Sequence, residues 1–144
     1  AYFGQKDAQQ AIVLQKMVRD LHIDVAITVC PIIREEDGLA MSSRNVYLTE
    51  EQRKQALVLN ESLKYAAKMV QNGETNPERI KSSLRTMISE ASLAKIDYIE
   101  VLDAVNLAEI ATIETKGLAA VAVWFGETRL IDNTFLTLSN TEVK

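Results

Sequence analysis

Two hydrophobic patterns follow one another along this chain, and together they predict an α/β unit followed by an α+β module. The first observation is an amphipathic stretch, Asp7 to about Leu21, that leads into "DVAITVCP", Asp24 to Pro31, an apolar run rich in β-branched residues. The second is a pair of amphipathic stretches between Thr49 and Ala91. The third is the switch after them to alternation in "IDYIEVLDA" and to two strand-like runs around Gly126-Glu127. A helix feeding a strand that is apolar on both faces belongs to a parallel α/β sheet. Helices followed by consecutive strands belong to the α+β class.

Each element has a local reason. In the first helix Leu14, Met17, Val18 and Leu21 fall at i, i+3, i+4 and i+7, with Gln15, Lys16, Arg19 and Asp20 opposite. A strand over Asp24–Pro31 needs neighbours on both sides, and no strand is read before it, so the chain is expected to start partway through an α/β domain. A polar loop follows from Ile32 to Asn45. Thr49 with Gln52 three residues on is a capping box, and it opens one long helix. Its stripe is Ala56, Leu59, Leu63, Ala66 and Val70, and Asn72-Gly73 stops it. Asn76-Pro77 starts the next helix, because proline at the first helical position gives up no hydrogen bond. That helix runs to about Ala91 and buries Ile80, Leu84, Met87 and Ile88. The strands after it form an antiparallel sheet covered by the two helices. The boundary between the two parts is expected between Asn45 and Thr49.

Composition narrows the partners. The longest uncharged apolar run, Leu118 to Phe125, is far too short for a membrane helix. No basic flank and apolar core of a signal peptide opens the sequence. The single cysteine, Cys30, rules out an internal disulfide and fits a reducing cytoplasm. It is read as a buried, inert thiol. A net charge of -4 gives no electrostatic basis for nucleic-acid binding. One histidine and one cysteine supply no zinc cage, and no metal ligands are assigned. His22, at a helix end, is read as a helix-dipole contact, Glu35-Glu36 with Asp37 as a solvated loop, and Trp124 as a sheet-packing residue.

Three clusters carry chemistry. "GQKD" with Gln10 puts a glycine, an ammonium and a carboxylate at a helix entrance. Free N–H groups near Gly4 can meet phosphate, Lys6 can neutralise it, and Asp7 can accept from ribose hydroxyls. Gln10 shares the Asp7 face of the helix and can hold a second substrate. An ordinary capped helix with a solvated lysine has the same residues, so both readings stay open. "MSSRN", Met41 to Asn45, puts two hydroxyls and a guanidinium after the buried strand, where open α/β sheets bind ligands. Ser42 and Ser43 can donate to phosphate and Arg44 can clamp two of its oxygens; a polar linker is the alternative. The third, "TRLIDN", is read as structural, with Arg129 and Asp132 paired across a turn.

"YFGQKDAQQ", "RDLHIDVAITVCPIIREEDGLAMSSRNVYLT", "DYIEVLDA" and "GETRLIDN" together resemble the pantothenate synthetases, the ATP-dependent pantoate–β-alanine ligases, over almost the whole chain. That family belongs to the nucleotidyltransferases that bind ATP through an HxGH motif and a second loop, for which "MSSRN" stands here. The resemblance implies that residues 1–46 end a Rossmann-like ATP-binding domain and residues 47–144 form a small lid domain of two helices on an antiparallel sheet. It implies that Gly4, Gln5, Lys6, Asp7, Ile33, Met41, Ser42, Ser43 and Arg44 contact ATP. Lys6 would be on the phosphates, Asp7 at the ribose and Ile33 at the adenine through its backbone. Lys6, Ser42, Ser43 and Arg44 would serve catalysis and Gln10 would hold pantoate. Pantoate carboxylate would attack the α-phosphorus to give pantoyl adenylate and pyrophosphate. The β-alanine amine would then release AMP and pantothenate. Magnesium, a homodimer and a cytoplasmic location come with the same resemblance.

The departures matter too. The HxGH motif, a first pantoate-holding glutamine and the early strands would precede Ala1, so the chain is expected to be a C-terminal portion with negligible turnover alone. Position 5 is Gln where many members carry a charged residue. Two other expectations compete: a dimerising module that pairs through an exposed Val25–Cys30 edge, and a ligase adenylating another small hydroxy acid.

Overall fold

A computed structural model of the chain describes residues 1–139. The last five positions of the second predicted part, 140–144, lie outside the described residues. The chain opens with strand β1, Tyr2–Gly4, then a 3-10 turn over Gln5–Asp7 and helix α1, Ala8–Asp20. Strand β2, Thr28–Cys30, pairs in parallel with β1, Tyr2 opposite Thr28 and Gly4 opposite Cys30. So a strand does precede α1, and β1–α1–β2 is a parallel crossover unit. It was missed because three residues carry no periodicity.

The first unit differs from expectation in two further ways. The strand expected over Asp24–Pro31 shortens to three residues, and Cys30 is exposed rather than buried. Val29 turns toward Ala8, Ala11 and Ile12 of α1 and is half-buried, while alternation sends Cys30 to the other, uncovered face. Likewise α1 buries Ala8, Ala11 and Ile12, while Met17 and Leu21 of the predicted stripe are exposed. Only the first turns of α1 reach the rest of the chain, where Ala8 and Ile12 pack on Leu118 and Phe135. His22 ends α1 in a left-handed conformation, φ 51°. The Ile23 N–H donates to the Val18 carbonyl and the His22 N–H to Arg19, the paired bonds of a Schellman stop.

The polar loop is better ordered than its composition suggests. Arg34 and Ala40 form an antiparallel bridge, the Met41 N–H donates to the Ile33 carbonyl, and Leu39 enters the main core. The predicted capping box forms, each partner donating backbone to the other's side chain at 2.9 and 3.1 Å. The long helix it opens is divided into α2, Glu50–Ala56, and α3, Val58–Gln71. At Leu57 the backbone tightens to ψ -20° and its N–H turns to Lys54, a 3-10-type contact. Helix α4, Pro77–Ser89, starts where Asn76 accepts from the Glu78 N–H.

Strands β3, Ala94–Asp103, β4, Lys116–Phe125, and β5, Thr128–Thr137, form an antiparallel sheet in that order. Gly126, φ 64°, makes the β4–β5 turn, and a Cβ there would lie 2.6 Å from the Gln52 amide. Strand alternation sends successive side chains to opposite faces. On one face Ile99, Val101, Ala119, Val121, Val123, Phe125, Leu130 and Leu136 form the core with α3 and α4. On the other, Leu118 and Phe135 take the start of α1. The sheet is therefore the middle layer, with the GQKD segment on one side and the loop–helix layer on the other. Among the described residues no helix is long and apolar enough to cross a membrane.

Candidate functional site

The strand that reaches both clusters also carries the two residues that local reading paired across a turn. Arg129 and Asp132 do not pair with each other. Asp132 accepts both arms of the Arg34 guanidinium, at 2.8 and 2.9 Å, while Arg129 donates to Asp97 at 2.8 Å. The reason is strand geometry: "TRLIDN" lies inside β5, not in a turn, so residues three apart point to opposite faces. A bulge between Ile96 and Tyr98 turns Asp97 toward Arg129, and the Arg129 guanidinium lies 5.6 Å from the centre of the Tyr98 ring.

Asn133, next along β5, faces the GQKD segment. Its Nδ2 donates to the Gln5 and Lys6 carbonyls at 2.9 and 3.1 Å, and its Oδ1 accepts from the Gln5 amide at 3.3 Å. The opposite face carries Asp132, whose carboxylate is 2% exposed and anchors Arg34. Arg34 also donates to the Gly38 carbonyl, which steadies the loop that leads to MSSRN. One strand thus grips both clusters through neighbouring residues.

Each predicted site residue can now be placed. Gly4 is extended, φ -79°, with open space where a side chain would project. Gln5 and Lys6 are half-buried, and Gln5 directs its amide to Asn133. Asp7 precedes α1 yet makes no side-chain cap bond, so its exposed carboxylate is not committed to the helix end. Lys6, Asp7 and Gln10 line one recess of about 190 Å³ with Tyr98, Asp132 and Asn133. Ile33 is exposed, and its carbonyl is occupied by the Met41 N–H. Met41 is exposed on a separate surface beside Arg34 and Arg53. Ser42 caps the 3-10 turn Ser43–Tyr47 by accepting from the Arg44 N–H at 3.1 Å, which leaves its hydroxyl hydrogen free to donate. Ser43 and Arg44 are exposed, and the Arg44 guanidinium donates to the Arg129 carbonyl at 3.4 Å.

Arg44 lines a second, larger cleft of about 790 Å³ with Tyr47, Trp124 and Arg129. Lys6 and Arg44 thus border different cavities, and β5 contributes a wall to both. Electrostatically they are still neighbours. Burial lowers the Lys6 ammonium below its ordinary 10.5; Asp7 and Asp132 oppose that, and the Arg44 charge adds to it.

Glu35 and Asp37, expected to be solvated, both accept from Arg53 of α2, at 2.5 and 3.0 Å. Asn45, buried, donates to Glu35 and to the Ala40 carbonyl, each at 3.1 Å. Its Oδ1 is the one buried side-chain polar atom without a partner among the described residues. The Asn45 and Arg53 hydrogen bonds hold the Glu35 carboxyl below its ordinary 4.5. A depressed carboxylate stabilises the fold above its unfolded value, and that contribution is lost as pH falls through the folded one. The melting temperature should therefore fall as pH drops below 4.5, and Glu35→Gln should flatten that acid limb. An acid limb of equal slope in the variant would contradict the assignment.

Local reading missed Arg34, Arg53, Asp132 and Asn133 as site supports. A signal existed for two of them: an acid and an amide, adjacent, in the middle of a strand-forming run.

Comparison with known proteins supplies the family. The family model described as pantoate-beta-alanine ligase matches residues 1–135. The pantothenate synthetase of Thermotoga neapolitana is 55% identical over 136 residues, 94% of this chain and 49% of that protein. That of Clostridioides difficile is 55% identical over 133 residues, 92% of this chain and 47% of that protein. The solved pantothenate synthetase of Thermus thermophilus superposes with TM-score 0.85 at 37% identity, covering 93% of this chain and 48% of that one. A pantoate-beta-alanine ligase from Francisella tularensis, solved with beta-gamma ATP and beta-alanine, gives TM-score 0.58 at 28% identity, covering 92% and 42%. The chain spans about half the length of the curated relatives it matches. With nearly all of its length matched, the chain belongs to the pantoate-β-alanine ligase family.

Proposed function

We propose that the protein carrying this chain joins pantoate to β-alanine, driven by ATP cleavage, through a pantoyl adenylate. The observation that carries the reading is the joint hold of β5 on two cationic clusters: Asn133 binds the backbone at Lys6, and the Arg129 carbonyl binds Arg44. In this reading residues 1–46 close a Rossmann-like domain and residues 47–144 are the lid. Lys6 and Arg44 balance the triphosphate charge, with Ser42 and Ser43 donating to its oxygens. Asp7 accepts from the ribose, the Ile33 backbone meets the adenine, Met41 closes over the phosphates with the two serines, and Gln10 orients pantoate.

The chemistry asks for little more from these residues. A pantoate carboxylate oxygen attacks the α-phosphorus as the bond to pyrophosphate breaks. Negative charge moves onto the departing oxygens, where fixed cations and hydroxyls stabilise it most. The β-alanine amine next attacks the acyl carbon and AMP leaves. Neither step needs an enzyme nucleophile. Magnesium enters with ATP as part of the substrate. No group of three or more acidic, His or Cys side chains stands ready for a metal among the described residues, and Mg²⁺ commonly keeps phosphate and water ligands. The homodimer implied by the resemblance belongs to the same proposal and is read by solution sizing.

The test is ATP–pyrophosphate exchange by the protein at its natural full length. Exchange should require pantoate, and AMP should appear with pantothenate only when β-alanine is added. Faster exchange with another small hydroxy acid would identify a different ligase. No exchange with any acid would overturn the reading.

A further inference from the structure

We propose that Asn133 is a positioning residue that sets where Lys6 stands, an inference that rests on the reading of Lys6 as a phosphate ligand. The GQKD segment has little local support. The 3-10 turn Gln5–Asp7 has no side-chain cap at Gly4, and Asp7 gives none to α1. The strand before the turn is three residues long and hydrogen-bonded to β2. What fixes the turn is a residue 127 positions away from Lys6. The two hydrogens of the Asn133 amide meet the Gln5 and Lys6 carbonyls, and its oxygen meets the Gln5 amide.

The side chain is specific to that task. Asn133 is 3% exposed, and its removal takes three hydrogen bonds from the Gln5–Lys6 turn. A primary amide offers two donors and an acceptor in one plane, which is what two carbonyls and an amide N–H require. A carboxylate of the same shape would turn oxygens toward both carbonyls. Because β5 is hydrogen-bonded along its full length to β4, its own position is set by the sheet rather than by any ligand. Fixing the Lys6 carbonyl fixes the Cα from which the ammonium extends, and with it the separation from Arg44, which hangs on the carbonyl of Arg129 in the same strand. The Lys6–Arg44 spacing is thus defined within one short stretch of β5, Arg129 to Asn133.

The experiment is a double-mutant cycle on the full-length protein, read by pantoate-dependent ATP–pyrophosphate exchange. Asn133→Ala should lower kcat by about 10- to 100-fold, the scale of an ångström-sized misplacement, with a smaller change in KM for ATP. In a Lys6→Ala background the same substitution should cost less than about 3-fold, because the residue it positions is gone. Full multiplicative losses in the double variant, with Lys6→Ala itself impaired, would overturn this proposal and leave the site reading intact. Unimpaired exchange in Lys6→Ala would overturn both. If Asn133→Ala unfolds below the assay temperature, Asn133→Ser, which keeps one neutral donor, takes its place in the same cycle with the same expected non-additivity.

Discussion

Lys6→Ala is expected to lower pantoate-dependent ATP–pyrophosphate exchange by about 100- to 1,000-fold, the effect of removing one preorganised charge partner from a transition state. The loss should fall mainly on kcat, since charge on the phosphate oxygens grows as the bond to pyrophosphate breaks. A pH profile adds an independent check. Burial and the Arg44 charge hold the Lys6 ammonium below its ordinary 10.5, against the pull of Asp7 and Asp132. The active form is the charged one, so kcat/KM should decline as pH rises through a value below 10.5. Lys6→Arg should retain part of the rate and lose that alkaline limb, because a guanidinium stays protonated there. An alkaline limb unchanged in Lys6→Arg would assign it to another group.

The second large effect is on stability. Arg34→Ala strands the Asp132 carboxylate, 2% exposed, with the Asn133 N–H as its remaining hydrogen-bond donor. Breaking a buried pair from one side costs about 3–5 kcal/mol. The reverse change, Asp132→Ala, should cost less, because the Arg34 side chain is 25% exposed and can turn to water. Replacing both, Arg34→Met with Asp132→Leu, should recover most of the loss, as buried ion pairs exchanged for apolar groups commonly do. Exchange activity should stay low in that double variant, because the loop leading to Ser42–Arg44 loses its side-chain anchor on Asp132. Chemical denaturation reads the stabilities. Equal losses for the two single variants would contradict the burial asymmetry.

What the sequence disclosed follows from how local each cause is. Capping by Thr49 and Gln52, the proline start at Pro77, the glycine turn at Gly126 and the stripe Leu59, Leu63, Ala66, Val70 all act within one or two turns of chain. Each is visible in order along the sequence. The stripe on α1 misled because amphipathicity marks a face fit for burial, and only Ala8, Ala11 and Ile12 have packing partners close enough to bury them. Cys30 misled for the same reason, since an apolar run marks a strand able to be covered.

The site divides along the same line. Lys6, Asp7, Gln10, Ser42 and Arg44 could be named as candidates because their chemistry and spacing are local. The family resemblance, rather than those residues alone, set the phosphate reading above a capped helix or a polar linker. The residues that hold them, Asn133 against Gln5 and Asp132 against Arg34, act across 128 and 98 positions. Nothing in the neighbourhood of either partner encodes such a contact. The misreading of Arg129 with Asp132 shows the hazard: two opposite charges three apart look paired until a strand sends them to opposite faces.

In the proposed function Lys6 and Arg44, both held by β5, share a single triphosphate. A crystal structure of the full-length protein with a non-hydrolysable ATP analogue tests it most directly. The Lys6 Nζ and an Arg44 guanidinium nitrogen are each expected about 3 Å from oxygens of the same triphosphate. Either group turned away from the nucleotide, with Asn133 still bonded to the Lys6 carbonyl, would contradict it.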